Sequence, residues 1–136
     1  MFKLFMNIKY IHGNYAKYDN ISINLNDTII ASDIIKHQNK HYIKINIESS
    51  GCDHIFNLID TLGNTLGNYN ECVTNNILFI KLPYRYNRYE IHWVDLTNSD
   101  ILKCNSKCDM IIETAGFIKI NDAWTACFKC LSINSK

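Results

Sequence analysis

The sequence predicts a mainly β protein: one compact β-sandwich or barrel-like domain with a C-terminal zinc-ribbon hairpin. Three observations carry that prediction. Apolar and polar residues alternate at period two, as in Ile21-Ser22-Ile23-Asn24-Leu25-Asn26 and Tyr42-Ile43-Lys44-Ile45-Asn46-Ile47-Glu48. Clusters of Gly, Asn and Asp separate such runs at short intervals. Four of the six cysteines fall as Cys104-x3-Cys108 and Cys127-x2-Cys130, with eighteen residues between the pairs.

Taken in order, strands are expected over 2–10, 21–26, 42–48, 76–82, 89–94, 110–114 and 117–120. One short helix is expected over 32–38, with Ser32 as its N-cap and Ile34 and Ile35 on one face. Thr114-Ala115-Gly116 is expected to turn between the last two strands. Gly63-Asn64-Thr65-Leu66-Gly67 has the composition of a turn and lacks the lysine of a phosphate loop.

The chain has 136 residues, which suits a single domain over 1–136 and lets folding bury about two-thirds of the unfolded surface. It is 47% hydrophobic and 20% charged, which excludes a disordered or collagen-like chain. Fourteen Lys and Arg against thirteen Asp and Glu leave a net charge of +1, so any contact with nucleic acid must be local. Apolar runs stop at four or five residues, as in Ile77-Leu78-Phe79-Ile80, and Asn7 and Lys9 interrupt the apolar start before any small-residue cleavage site. The expectation is a cytoplasmic protein in a reducing compartment, with no membrane contact and no disulfide-linked partner.

In such a compartment cysteines serve as metal ligands, redox groups or core residues. Two close pairs on facing turns suit tetrahedral zinc, so Cys104, Cys108, Cys127 and Cys130 are the expected ligands of a structural zinc ion in a ribbon over 101–133. Lys103, Lys107 and Lys129 flank the pairs and would offset thiolate charge. Against this stands the plainer reading of four core or surface thiols. A Cys127/Cys130 redox pair lacks the βαβ context of thioredoxin-like motifs. Cys52 and Cys72 have no close Cys partner, and Cys52-x-His54 or His37-x3-His41 supplies only two ligands, too few for a second site.

Pro83-Tyr84-Arg85-Tyr86-Asn87-Arg88-Tyr89 interleaves two Arg with three Tyr. Tyr84, Arg85, Tyr86, Arg88 and Tyr89 can stack bases and contact phosphates, and the same residue types enrich protein–protein hot spots. For catalysis, Cys52 or Cys72 would need a base beside it, no His-Glu-x-x-His occurs, and Asp53, Asp60, Asp95, Asp100, Asp109 and Glu113 are spread among turns. No catalytic residue is assigned.

Phe79-Ile80-Lys81-Leu82-Pro83, Trp93-Val94-Asp95-Leu96, Cys104-Asn105-Ser106-Lys107-Cys108 and Trp124-Thr125-Ala126-Cys127 together resemble the HECT-like family of proposed ubiquitin ligases, over about residues 77–130. That resemblance implies a shortened, zinc-bearing relative that has kept a binding role. Members bind a ubiquitin-conjugating enzyme and include a yeast factor needed for pre-mRNA cleavage and polyadenylation.

Three expectations follow. The first is a non-enzymatic, zinc-binding accessory factor docked on a large RNA–protein assembly, the ribosome foremost, through the Arg/Tyr surface and the ribbon end. The second is a ubiquitin-pathway protein that engages a conjugating enzyme or the pre-mRNA 3′-end machinery. The third is a capsid-associated structural subunit.

Overall fold

A computed structural model describes residues 7–48, 51–94 and 103–135. Its elements are β1 (Tyr10–His12), β2 (Tyr15–Lys17), β3 (Ser22–Ile30), β4 (Ile35–His37), β5 (Lys40–Asn46), α1 (Asp53–Asn64), β6 (Tyr69–Asn70), β7 (Val73–Thr74), β8 (Ile77–Leu82), β9 (Tyr84–Arg85), β10 (Arg88–Tyr89), β11 (His92–Val94), β12 (Lys107–Ile120) and β13 (Ala123–Ser135). The protein is mainly β, as its alternation predicts.

Five strands pair in a path that returns to its start: β12 with β3, β3 with β5, β5 with β8, β8 with β13, and β13 with β12. All contacts are antiparallel except β8–β13. The ring is well laced at β12–β13 and β5–β8, and thin at β3–β5, where two residue pairs meet, and at β8–β13, where one does. Alternation sends Ile23, Leu25, Ile43, Ile45, Leu78, Ile80, Met110, Ile112 and Phe128 inside, all almost fully buried. A bulge around Asp27, at φ +55°, shifts the β3–β12 register between Cys108 and Met110 and bends the strand where the ring must curve.

Four two-residue turns set the hairpins: Gln38-Asn39, Asn75-Asn76, Tyr86-Asn87 and Asn121-Asp122 each hold both residues at positive φ. That is the type I′ pattern, whose twist matches the strands it joins, and Asn and Asp tolerate it best. The β12–β13 turn therefore falls at Asn121-Asp122, not at 114–116 as expected. Met110–Thr114 and Phe117–Ile120 belong to one long strand, whose register against β13 shifts between Ile111 and Ile112 and again between Thr114 and Phe117. Gly116 sits in that shift at φ +82°, where a Cβ would lie 2.8 Å from the Ala16 carbonyl oxygen. Beyond it the strand pairs with β2, and Phe117 stacks on Tyr18 at 4.6 Å.

The helix expected over 32–38 does not form: Ile35–His37 pairs with β5, and the Ser32 hydroxyl bonds the Asp33 carbonyl and accepts from the Lys44 amide. The helix lies instead at Asp53–Asn64, where Phe56 and Ile59 are buried and Phe56 meets Phe128 edge-on at 5.7 Å. Burying those two side chains contributes roughly 1.5–3 kcal/mol each. Gly63 is part of this helix and not of a turn, and a Cβ there would strike the Tyr69 ring, so glycine lets the two pack together. Of the strand expected over 2–10, residues 2–6 lie outside the described residues, as do Asp95, Leu96 and Asp100. Among the described residues no helix is long and apolar enough to cross a membrane.

Candidate functional site

The four cysteines of the expected ribbon do not converge among the described residues. Cys104 is exposed ahead of β12, while Cys108 and Cys130 are buried on the inner face. Cys127 sits in the same strand as Cys130 but three residues away, so period-two alternation sends it to the opposite face, with Lys129. Cys130 lies opposite Ile112, four residues from Cys108, which itself lies opposite Ser135. No group of three or more His, Cys, Asp or Glu among the described residues is placed to hold a metal.

Burial pushes the Cys108 and Cys127 thiols up to about 11 and raises Cys130 as well. Lys81 and Lys40 pull Cys127 partly back. Cys72 is raised by burial and then by Asp60, whose carboxylate accepts from the Cys72 amide and from the Tyr69 hydroxyl at 2.6 Å. Thiols raised in this way are poor nucleophiles at neutral pH. Lys107 and Lys129, expected beside thiolates, pair with Asp27 and Glu113. Cys52 precedes α1 and donates to the Asn24 carbonyl at 3.3 Å.

The Arg/Tyr stretch does form one feature. β9 and β10 make a hairpin closed by the Glu90 amide on the Pro83 carbonyl, with Tyr86-Asn87 at its tip. Tyr86 is 76% exposed and held at φ +54°, a conformation costly for a bulky L-residue. The Arg85 guanidinium lies 5.0 Å over its ring. Tyr84 and Tyr89 meet edge-on at 5.0 Å, and both rest on His41 from β5. The His41 ring stacks on Tyr84 at 4.2 Å, and its Nδ1 shares a 2.8 Å hydrogen bond with the Tyr89 hydroxyl. Burial, and then nearby Lys36, lower the His41 pKa and favour its neutral form. His37 is exposed on β4 and does not join it.

The hairpin leaves the end of β8 beside the start of β5, where His41 pairs with Leu82. A second surface that sequence reasoning did not single out is the outer face of β5 and β8, opposite to the side that His41 and Leu82 face; it meets the hairpin where Lys40, Lys81 and Arg85 line one small hollow. Tyr42 pairs with Lys81 and Lys44 with Phe79. Phe79 is 45% exposed, lies 5.5 Å from Tyr42, and has the Lys44 ammonium 6.0 Å from its ring centre. The signal was present as aromatic side chains at the polar positions of alternating strands. Lys40, Lys44 and Lys81 stand on this face with Arg85 at its edge, whereas Lys36 and Arg88 stand on the other side with His41. The ion pairs among the described residues involve Lys9, Lys107 and Lys129 instead.

Of the segments that carry the HECT-like resemblance, Phe79–Pro83 leads into the hairpin, Trp93-Val94 lies in β11, Cys104-Asn105-Ser106 precedes β12, and Lys107-Cys108 and Trp124–Cys127 belong to the long β12–β13 hairpin. No protein-family model, curated protein or solved structure matches the chain.

Proposed function

We propose that this protein is a non-enzymatic accessory factor that docks on a large RNA–protein assembly, the ribosome foremost, by gripping exposed single-stranded RNA. The hairpin Tyr84, Arg85, Tyr86, Arg88 and Tyr89 and the outer face of β5 and β8 form the grip. The observation that carries this reading is Tyr86, a bulky ring held in a left-handed turn and presented to solvent beneath a guanidinium. Strain that persists without burial points to use, because burial gains nothing from it. Exposed rings stack on any base, and the cations around them suit a phosphate backbone.

The architecture supports the same surface. Small five-stranded Greek-key barrels that take oligonucleotides use the face of their second and third strands. In the ring of this chain those are β5 and β8. This is an argument from architecture, and the residues on that face give it its chemical content. Zinc at Cys104, Cys108, Cys127 and Cys130 has no part in the proposal, since Cys127 and Cys130 face opposite sides of β13.

The test is binding of the full chain to a fluorescent single-stranded RNA of about 16 nucleotides over a salt series. Arg85→Ala with Arg88→Ala is expected to weaken binding roughly tenfold, to lower the salt slope by about 1.4 and to leave the unfolding curve unchanged. Equal slopes for the double variant and the parent, or no RNA binding by the parent, would overturn the proposal. Transfer of ubiquitin from a conjugating enzyme to a cysteine of this chain would overturn it in favour of the ubiquitin pathway.

A further inference from the structure

Behind the hairpin an open cleft of about 810 Å³ separates its inner side from β4 and the start of β11. That size lies within the range of small-ligand sites. The walls are chemically mixed in a particular way. Tyr84, Tyr89 and Trp93 supply aromatic surface, Lys36 and Arg88 supply cations, and Asn87 and Glu90 supply one amide and one carboxylate. Tyr89 and Trp93 are half-buried, and His41 fixes both tyrosines from below through its stack and its hydrogen bond. The tyrosine side of the cleft is therefore built in advance of any ligand, which lowers the ordering cost of binding.

We infer that this cleft holds one nucleotide unit, its base among the aromatic walls and its phosphate toward Lys36 and Arg88. Base rings stack on tyrosine and tryptophan, and unpaired bases are read along their edges by side-chain amides and carboxylates. Asn87 can donate and accept at such an edge, and Glu90 can accept from an exocyclic amine. Two cations against one carboxylate leave the cleft positive, as a phosphate requires. The cleft shares Tyr84, Arg88 and Tyr89 with the hairpin, so the inference rests in part on the reading above. It adds a discrete subsite for one unit to a surface that otherwise tracks a strand. The unit can be a free mononucleotide or the 5′-phosphorylated end of a strand.

Trp93 reports on the cleft directly, while Trp124 is buried in the β12–β13 hairpin. The experiment titrates the full chain with AMP, with CMP and with a short RNA carrying either a 5′-phosphate or a 5′-hydroxyl, following tryptophan fluorescence. A saturable change is expected with nucleotide. It should weaken about tenfold in Lys36→Ala, an exposed position whose replacement leaves the packing untouched. A tenfold preference for the 5′-phosphorylated RNA over its 5′-hydroxyl counterpart and over AMP assigns the cleft to a strand end. Equal affinity for AMP and the phosphorylated RNA assigns it to a free nucleotide.

No fluorescence change with any of these ligands, while labelled RNA still binds by anisotropy, overturns the cleft and leaves the hairpin reading standing. Nucleotide binding in the cleft by a chain that fails to bind longer RNA does the reverse. A response undiminished in Lys36→Ala overturns the phosphate assignment and the inference with it.

Discussion

The cysteine-bearing hairpin of β12 and β13 and the tyrosine-bearing hairpin of β9 and β10 were both conspicuous in the sequence for their spacing, and the fold treats them in opposite ways. In the long hairpin, regular pairing sorts side chains by parity, so Cys130 goes inward and Cys127 outward. In the short one, two-residue strands flank a turn, and Tyr84, Arg85, Tyr86 and Arg88 all stay exposed. A spacing motif makes a site where the chain turns between its members. Inside a strand, the pleat decides which of them can meet.

The largest effect that can break this comparison comes from replacing the cysteines one at a time by serine. Cys130 and Cys108 are buried among apolar residues, so a hydroxyl in either place should cost about 2 kcal/mol. Cys127, half-buried, should lose about 1 kcal/mol or less, and exposed Cys104 should stay within about 0.5 kcal/mol of the parent. Urea unfolding of the four variants, each with its zinc content, gives the answer. A ribbon held by one ion would instead show four similar losses together with release of metal.

The strands were legible because most inward positions are Ile, Leu, Met or Phe and alternate with mostly polar residues. Less legible was where they end. The β12–β13 turn was marked by Asn121-Asp122, a good left-handed pair, but Gly116 was the stronger local signal and belongs to a bulge forced by contact with Tyr15 and Ala16. Helix α1 was readable from Ile55, Phe56, Ile59 and Leu62 at helical spacing, yet Asn57, Thr61 and Gly63 dilute its propensity. Ser32, a good cap in isolation, is used by β5 instead. As for the site, the five Arg/Tyr residues were visible in one run. Their support from His41, and the pairing that sets Tyr42 and Phe79 on one outer face, depend on the β5–β8 register, which a single run cannot express.

Tyr86 sharpens the comparison from the other side, because here a sequence preference is violated and not obeyed. Asn at that position would relax the left-handed strain, so Tyr86→Asn should stabilise the protein by about 1 kcal/mol while removing a stacking platform. Loss of one stacked base corresponds to roughly 1–3 kcal/mol of RNA affinity. Unfolding and RNA titration of the same variant are expected to move in opposite directions. Gains in both, or losses in both, would mean that the strained ring serves the fold and not a ligand.

The smallest effect concerns His41, which joins the exposed hairpin to the buried ring. Its neutral form is favoured in the fold by burial and by Lys36, so its pKa lies below the ordinary histidine value of about 6.5. Below that pH the unfolded chain binds a proton that the folded chain resists, so the contribution of His41 is fully present above about pH 6.5 and is lost as pH falls through the lowered folded value. His12, His37, His54 and His92 are exposed and are present in parent and variant alike. His41→Phe keeps a ring against Tyr84 and removes the titration. Between pH 7.5 and 5.5 the urea midpoint of the parent should therefore fall further than that of the variant. Trp93 fluorescence should shift over the same interval in the parent alone, since the tyrosines that line its cleft are seated on His41. Parallel pH profiles for the two proteins would mean that the hairpin rests on stacking alone and that its seat is indifferent to the charge of the ring.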